Sequence, residues 1–180
     1  FNLSLGETKK NAALLITEGG ANAVKLEGGK PSRLKAIEAI VDCEIPVVAH
    51  LGLTPQSINA FGGYKVQGKK EEEFNSILNQ AKDIEKAGAF MLVLEGIPEE
   101  LGKKISEELS IPTIGIGAGK YTDGQVLVYH DILGMADFKP KFVKEYAQLD
   151  KVIPSRIKEF AADVKDGKFP AEENIYNPIK

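Results

Sequence analysis

Three apolar segments of the sequence each run into side chains that could perform acid–base or metal chemistry. These side chains are Lys25, Glu27, His50 and Glu95. Alternate side chains of a strand lie on opposite faces, so Lys25 and Glu27 share one face and their apolar neighbours share the other. A charge on a covered face is costly unless it is paired or holds a ligand. The pattern therefore indicates either a substrate or metal site or a structural ion pair.

Glu95 and His50 stand out because of what surrounds them in the sequence. Glu95 follows the apolar run 90–94, which leaves it no solvated partner, so desolvation would make its carboxylate more basic, as a general base requires. His50 begins the long polar connection 50–68, and a loop of that length is usually functional. A lone histidine is more often a satisfied core residue, yet this position favours a substrate hydrogen-bond donor. The other histidine, His130, is as consistent with structure as with function.

The glycine-rich segment 115–119 does not match a nucleotide-binding motif. The dinucleotide pattern G-x-G-x-x-G, started at Gly115, would need glycine at Lys120. A phosphate-binding loop ending at that lysine would need serine or threonine at Tyr121. These glycines therefore either let the backbone approach a ligand or make a tight turn from a strand into a loop.

Apolar periodicity and glycine or proline boundaries predict alternating helices and strands. The predicted helices are one that ends at Gly19-Gly20, then 31–43, 71–86, 98–109 and one or two within 141–160, divided near Pro154. The predicted strands are 23–27, 45–50, 90–94, 112–116 and 126–129. This alternation, with largely apolar strands, predicts an α/β fold with a parallel sheet covered on both faces.

Five such units could form an open sheet or part of a (β/α)8 barrel. An open sheet would carry its ligand where the strand order reverses. The short, regular repeat favours the barrel, which typically needs about 250 residues, so the chain would be an incomplete one. An internal sequence repeat supports this. Segments 20–28 and 88–96 each begin with glycine and alanine, continue as a predicted strand, and end with a glutamate (Glu27 or Glu95) followed by glycine. Both carboxylates would then lie at the same rim, unless the recurrence is due to chance.

Length and composition indicate a single domain over residues 1–180. The chain has 180 residues, 43% of them hydrophobic, and a net charge of -3, which implies neither a nucleic-acid surface nor a polyanion groove. No apolar run approaches the roughly 20 residues of a membrane span, and no leader is recognisable. With Cys43 as the single cysteine, we expect no disulfide, no cysteine cluster for zinc, and a reducing, cytoplasmic setting.

Six segments of the chain, in order and in register, closely resemble the ketopantoate hydroxymethyltransferase family. They are AVKLEGG (23–29), HLGLTPQSINAFGGYKVQGK (50–69), AGAFMLVLEGIPEEL (87–101), IPTIGIGAG (111–119), DGQVLVYHD (123–131) and PKFVKEY (140–146). The resemblance implies a (β/α)8 TIM barrel of the phosphoenolpyruvate/pyruvate superfamily, of which this chain would hold the last five units.

The resemblance also implies a reaction and roles for residues. The reaction is transfer of a hydroxymethyl group from 5,10-methylenetetrahydrofolate to 3-methyl-2-oxobutanoate, with a divalent metal, usually magnesium, bound by the keto acid. Glu95 matches the general base that removes the proton next to the ketone. Lys25 and His50 match substrate-binding residues, and Glu27 matches the acidic residue at the metal, directly or through water. The cation Lys25 would add to the stabilisation of the enolate.

One departure from the family pattern bears on partners. An upstream part of the family supplies the first three strands and two aspartates at the metal and substrate, and the sequence, which starts at Phe1, lacks it. We therefore expect the missing N-terminal part of the same enzyme as a partner, and the resemblance suggests a homo-oligomer. Two alternatives stay open: a non-catalytic half-barrel assembly fragment, and a related lyase of the superfamily that acts on another 2-oxo acid.

Overall fold

Helices and strands alternate along most of the chain in the computed structural model, which describes residues 4–57, 63 and 65–176. The helices are α1 (Leu5–Thr17), α2 (Pro31–Val41), α3 (Glu71–Lys86), α4 (Glu99–Glu108), α5 (Tyr129–Ile132) and α6 (Leu149–Lys165). The strands are β1 (Val24–Glu27), β2 (Val47–Gly52), β3 (Met91–Glu95), β4 (Thr113–Ile116) and β5 (Gly124–Gln125). Single 3-10 turns span Pro55–Ser57 and Glu172–Asn174.

The five strands form one parallel sheet in the sequential order β1-β2-β3-β4-β5. No reversal of strand order occurs in the described residues, so the switch point that an open doubly wound sheet would use is not present there. Right-handed crossovers between sequential parallel strands place their helices on the same face of the sheet. The α/β fold with a parallel sheet, predicted from the sequence, is confirmed.

The apolar core lies between that face and the helices. Its strand members all come from one alternation set, namely Val24, Leu26, Val47, Ala49, Leu51, Leu92 and Leu94. Side chains of the other set, such as Val48, Val93 and Ile114, are only half-buried. Coverage of the first face agrees with the prediction, whereas the described residues cover the second face only in part.

The helices that build the core begin and end where local chemistry favours it. In α3, acids occupy the first turn and Lys86 the last, which complements the helix dipole, and Leu78, Ala81 and Ile84 are buried. In α2, Pro31 occupies the first turn, where its missing N–H costs nothing. The bounds of α3 agree with the predicted helix 71–86.

Two predicted elements differ in the structure. The strand expected at 126–129 is wrong: β5 precedes it at Gly124–Gln125, and Tyr129 already begins α5. Gly117, with a φ of +68°, turns the chain just after β4, so residues beyond Gln125 have no continuing strand to pair with. The helices expected within 141–160 are one helix, α6, which starts at Leu149 and contains Pro154. Proline in its second turn removes one backbone hydrogen bond without dividing the helix.

Contacts within the chain group into two units, Phe1–Val126 and Leu127–Lys180. The sheet, its helices α1 to α4 and the candidate site belong to the first, and α5 and α6 to the second. The single domain expected from the sequence stays a prediction. None of the described helices is both long enough and apolar enough to span a membrane.

Candidate active site

Three of the predicted site residues lie on neighbouring strands at one end of the sheet. Glu27 ends β1 and pairs in register with His50 of β2, and Glu95 ends β3 and pairs with Gly52, two residues further along β2. His50 thus lies between the two glutamates on the same face of the sheet. It was expected to end its strand, but β2 continues to Gly52.

The carboxylates of both glutamates face the imidazole ring. His50 Nε2 lies 3.3 Å from Glu95 Oε2, and His50 Nδ1 lies 4.0 Å from Glu27 Oε1. The histidine side chain is 2% exposed, and those of Glu27 and Glu95 are 11% and 15% exposed. A carboxylate held against a buried imidazole with limited access to water is an arrangement that suits proton transfer to or from a bound molecule.

Neither ring nitrogen of His50 has a hydrogen-bond partner within the described parts of the chain. Leaving a buried polar group without a partner costs about 1–3 kcal/mol, so such groups call for an explanation. A substrate oxygen that accepts a hydrogen bond from the ring would remove this cost. The ligand-binding interpretation of His50 is compatible with this geometry and stays a prediction.

Backbone contacts hold Glu95 and Glu27 in place. The Leu53 N–H donates to the Glu95 carbonyl oxygen at 2.8 Å, and Gly52, with a φ of +91°, lets that carbonyl approach so closely that a Cβ would collide with it. The Gln56 N–H donates to Glu27 Oε2 at 3.1 Å. Sequence reasoning missed Gln56, because a backbone donor carries no signature in the residue type.

Lys25 shares the face of β1 on which Glu27 lies, and its strand partner is Val48. Its side chain is exposed, and in the residues that the structure describes it forms no salt bridge with either glutamate. The structure therefore places Lys25 on the face that carries the cluster of Glu27, His50 and Glu95, without a salt bridge to that cluster in the described residues.

The glycine-rich segment 115–119 makes a packed turn. A Cβ on Gly115 would lie 2.6 Å from Thr122 Oγ1, so this glycine allows a close approach of chain segments. Next to it, Asp123 Oδ2 accepts hydrogen bonds from the Thr113 N–H at 2.7 Å and from Thr113 Oγ1 at 2.8 Å. These bonds hold the pKa of the Asp123 carboxyl below its usual value. The described residues thus form the predicted tight turn, and the approach of a ligand to this backbone stays a prediction.

His130 lies in α5 of the second unit instead of at a strand end. Its ring stacks on Tyr129, with centroids 3.9 Å apart, and both side chains are exposed. Residues 58–62 and 64 of the predicted functional loop lie outside the described residues, so the prediction for the connection 50–68 can be followed only in its other residues.

The described residues do not by themselves make a magnesium site. They contain no group of three or more His, Cys, Asp or Glu side chains placed to hold a metal ion. Mg²⁺ demands near-octahedral oxygen ligands and often retains water alongside one or two carboxylates. Glu27 could offer one oxygen, but Oε2 already accepts the Gln56 N–H. The remaining ligands would have to come from elsewhere.

Comparison with known sequences gives a consistent result. The family model described as Ketopantoate hydroxymethyltransferase matches residues 1–172. A protein from Geobacter metallireducens named 3-methyl-2-oxobutanoate hydroxymethyltransferase is 56% identical over 178 residues, which cover 98% of this chain and 66% of that protein. A protein of the same name from Clostridium beijerinckii is 55% identical over 98% of this chain and 64% of its own length. The chain thus spans about two thirds of the length of these relatives.

Solved structures with a similar fold have low sequence identity. A putative phosphonomutase from Burkholderia cenocepacia superposes with a TM-score of 0.52 at 15% identity, over 92% of this chain and 67% of that protein. A phosphoenolpyruvate phosphomutase from Streptomyces platensis superposes with a TM-score of 0.50 at 14% identity, over 97% of this chain and 62% of that protein. At such identities the likeness concerns the fold alone.

Proposed function

This chain belongs to the ketopantoate hydroxymethyltransferase family, and from that premise we propose that it carries the general base and part of the substrate site for hydroxymethyl transfer. The donor is 5,10-methylenetetrahydrofolate, the acceptor is 3-methyl-2-oxobutanoate, and the product is 2-dehydropantoate, an intermediate of pantothenate biosynthesis. The reaction of the whole enzyme is a proposal for this chain, because the chain spans about two thirds of its relatives.

Glu95 is the proposed base. It takes the proton from the carbon next to the ketone, and the electron pair left behind forms an enolate. Water cleaves the two C–N bonds that hold the one-carbon unit of the folate, and its two protons pass to N5 and N10, which gives tetrahydrofolate and formaldehyde. The enolate carbon then bonds to the formaldehyde carbon, and the resulting alkoxide takes the proton back from Glu95. The observation that carries this role is the distance of 3.3 Å between Glu95 Oε2 and His50 Nε2 at the end of the sheet. That distance keeps the carboxylate beside a buried ring and largely out of water.

His50 and Lys25 are the proposed substrate-binding residues. The unpartnered ring nitrogens of His50 supply a hydrogen bond to a substrate oxygen. Lys25, on the same face of the sheet, supplies a positive charge for the carboxylate or the developing enolate oxygen. Neither residue changes its covalent bonds in this scheme, because both act by orientation and charge.

Magnesium is the proposed metal, with Glu27 as its neighbour. When bound, a divalent cation would polarise the keto acid as a Lewis acid. Since the described residues lack a complete ligand set, we assign the other ligands to the keto acid, to water and to the two aspartates that the family carries upstream. In this scheme the proton passes to Glu95, a residue of this chain.

We further propose that the five parallel strands are part of a (β/α)8 barrel. Their sequential order and the half-buried second face support this, because three more strands would close the sheet and cover that face. The missing N-terminal part of the same enzyme would supply those strands. A cytoplasmic homo-oligomer is the proposed setting, with a 2-oxo acid and folate as small-molecule partners and with neither nucleic acid nor a membrane as a partner.

The test is an assay of tetrahydrofolate-dependent turnover of 3-methyl-2-oxobutanoate by this chain, with and without the N-terminal segment of a relative supplied in trans. We expect product only in the complemented sample. Absence of turnover in that sample would contradict the proposal. Conversion of other 2-oxo acids in preference to 3-methyl-2-oxobutanoate would favour the lyase alternative, and intact-mass analysis would detect the second polypeptide that a two-piece enzyme requires.

A further inference from the structure

A cavity of about 500 Å³ lies between the start of α2 and the first half of α3, beside the carboxyl ends of β1 and β2. Its volume falls in the range of roughly 300–1,000 Å³ that small-molecule sites occupy. The charged side chains that line it are Glu27, Lys30, Arg33, Glu72 and Glu73. Glu27 Oε1 also lies 4.0 Å from His50 Nδ1, so the cavity adjoins the proposed reaction centre through this glutamate.

The charges around the cavity are of opposite sign on its two sides. Lys30 and Arg33 lie on the α2 side, and Glu72 and Glu73 lie on the α3 side. None of these four makes a salt bridge within 4.0 Å in the described parts of the chain. Both the donors of the cations and the acceptors of the carboxylates are therefore available to a bound molecule.

The backbone adds to this polarity. No side chain caps the amino-terminal end of α2, whose N-cap residue is Lys30, so the positive end of the helix dipole reinforces the basic side. The two sides approach each other at Gly29, where a Cβ would lie 2.7 Å from the Cβ of Gln80 in α3. Any residue larger than glycine at this position would narrow the cavity.

We propose that this cavity binds the tetrahydrofolate co-substrate, an inference that rests on the proposed function. The reduced pterin presents a 2-amino group and a ring N–H side by side, and two adjacent donors match the two oxygens of a carboxylate such as Glu72 or Glu73. The glutamate tail carries carboxylates that match Lys30 and Arg33. One molecule with a donor edge and an anionic tail would satisfy both sides of the cavity.

A groove beyond the cavity offers room for a longer tail. It has a volume of about 680 Å³, shares Gly29, Lys30, Glu72 and Gln80 with the cavity, and continues between α2 and α3 to Asp83. Folates often carry several glutamates, and the shared Lys30 would contact the first of these carboxylates. The groove therefore continues the same binding site.

The test uses equilibrium binding to the full encoded protein in the absence of keto acid, with two probes. Tetrahydrofolate has the pterin and the glutamate tail, whereas 6-methyltetrahydropterin has only the pterin. We expect Glu72→Gln combined with Glu73→Gln to raise the Kd of both probes about tenfold. Arg33→Gln should raise the Kd of tetrahydrofolate by a similar factor and leave that of the pterin unchanged. Matched controls are Glu71→Gln and Lys35→Gln, neighbours that do not line the cavity.

The outcomes separate this inference from the proposed function. If the wild-type protein turns over both substrates but the cavity variants bind both probes as the controls do, the folate site lies elsewhere and the inference is wrong. If the wild-type protein turns over neither substrate, the proposed function is wrong and with it the reason to expect folate. Circular dichroism of each variant verifies that the fold is retained.

Discussion

His50 Nε2 lies 3.3 Å from Glu95 Oε2, although the two residues belong to different, neighbouring parallel strands. The histidine is buried, whereas the glutamate keeps slight access to solvent. A carboxylate in this position can reach a bound molecule while the ring behind it restricts water. This relationship is the reason for assigning the base to β3 and the substrate donor to β2.

Replacement of Glu95 by Gln should strongly slow proton abstraction and leave the fold intact. Loss of a positioned general base typically costs about 10²–10⁴-fold in rate, and we expect kcat to fall within that range with little change in KM. The measurement is exchange of the substrate proton next to the ketone in D₂O, followed by NMR with the full encoded protein. Glu100→Gln, in the exposed first turn of α4, is the control and should exchange at the wild-type rate.

We predict that Glu27 holds the turn that follows β2 and also acts in the candidate site. Glu27→Gln keeps an oxygen that can accept the Gln56 N–H, whereas Glu27→Leu removes it. We expect faster amide hydrogen exchange at Gln56 in the leucine variant only, because an intact acceptor protects the amide. Turnover should fall in both variants, since both lose the charge. Equal exchange at Gln56 in the two variants would show that the contact does not hold the turn.

Gly52→Ala should be far more disruptive than a substitution at an unconstrained glycine. Gly52 and Gly20 both have positive φ, but only at Gly52 would a Cβ meet the Glu95 carbonyl. We expect Gly20→Ala to cost about 1 kcal/mol of unfolding free energy and Gly52→Ala roughly 3 kcal/mol. Thermal unfolding of the full encoded protein measures both. Similar losses at the two positions would mean that the carbonyl moves aside easily.

Glu85 should make stability depend on acidity. Its Oε1 accepts hydrogen bonds from Ser110 Oγ at 2.8 Å, Ser110 N at 2.7 Å and Ile111 N at 3.2 Å, and the bond from the serine side chain is the main cause that lowers the Glu85 pKa below its usual 4.5. Because the pKa of Glu85 is lower in the folded chain than in the unfolded chain, protonation of this carboxylate favours unfolding. The stabilisation is therefore complete above about pH 4.5 and is lost as the pH falls through the folded pKa.

The size of this contribution is about 1 kcal/mol, at the low end for hydrogen bonds to charged groups because solvent screens the carboxylate. We expect Glu85→Gln to lower the melting temperature at neutral pH and to lose that difference at acidic pH. Glu107→Gln, on the exposed surface of α4, is the control and should show no such convergence. A constant difference at every pH would contradict the assigned cause.

The 180-residue chain should not persist alone as a monomer. Side chains at helical spacing along α6 are between 41% and 62% exposed: Ile153, Ile157, Phe160 and Val164. The outer edges of β1 and β5 also lack partners in the described residues. We expect light scattering to show that the purified chain associates. Ile157→Glu should reduce this association, and Lys158→Glu, on the polar face of α6, should leave it unchanged. A monodisperse, cooperatively unfolding monomer would contradict this expectation.

Local chemistry determined much of the fold from the sequence alone. The helix Glu71–Lys86 was predicted to the residue, because its acidic first turn, its apolar spacing and Gly88 all act within a few residues of each other. The four longer strands were predicted with small shifts at their ends. Alternation along single strands also identified Lys25, Glu27, His50 and Glu95 as candidates.

Relations between distant segments were decided only by the tertiary structure. The length of β5 depends on where β4 turns away from it. Glu27 and His50 lie side by side because of the register between β1 and β2. The Gln56 amide that binds Glu27 and the cavity between α2 and α3 involve groups far apart in the chain. Residue types along one segment specify its own conformation, but a distance between segments is set by how all of them pack together.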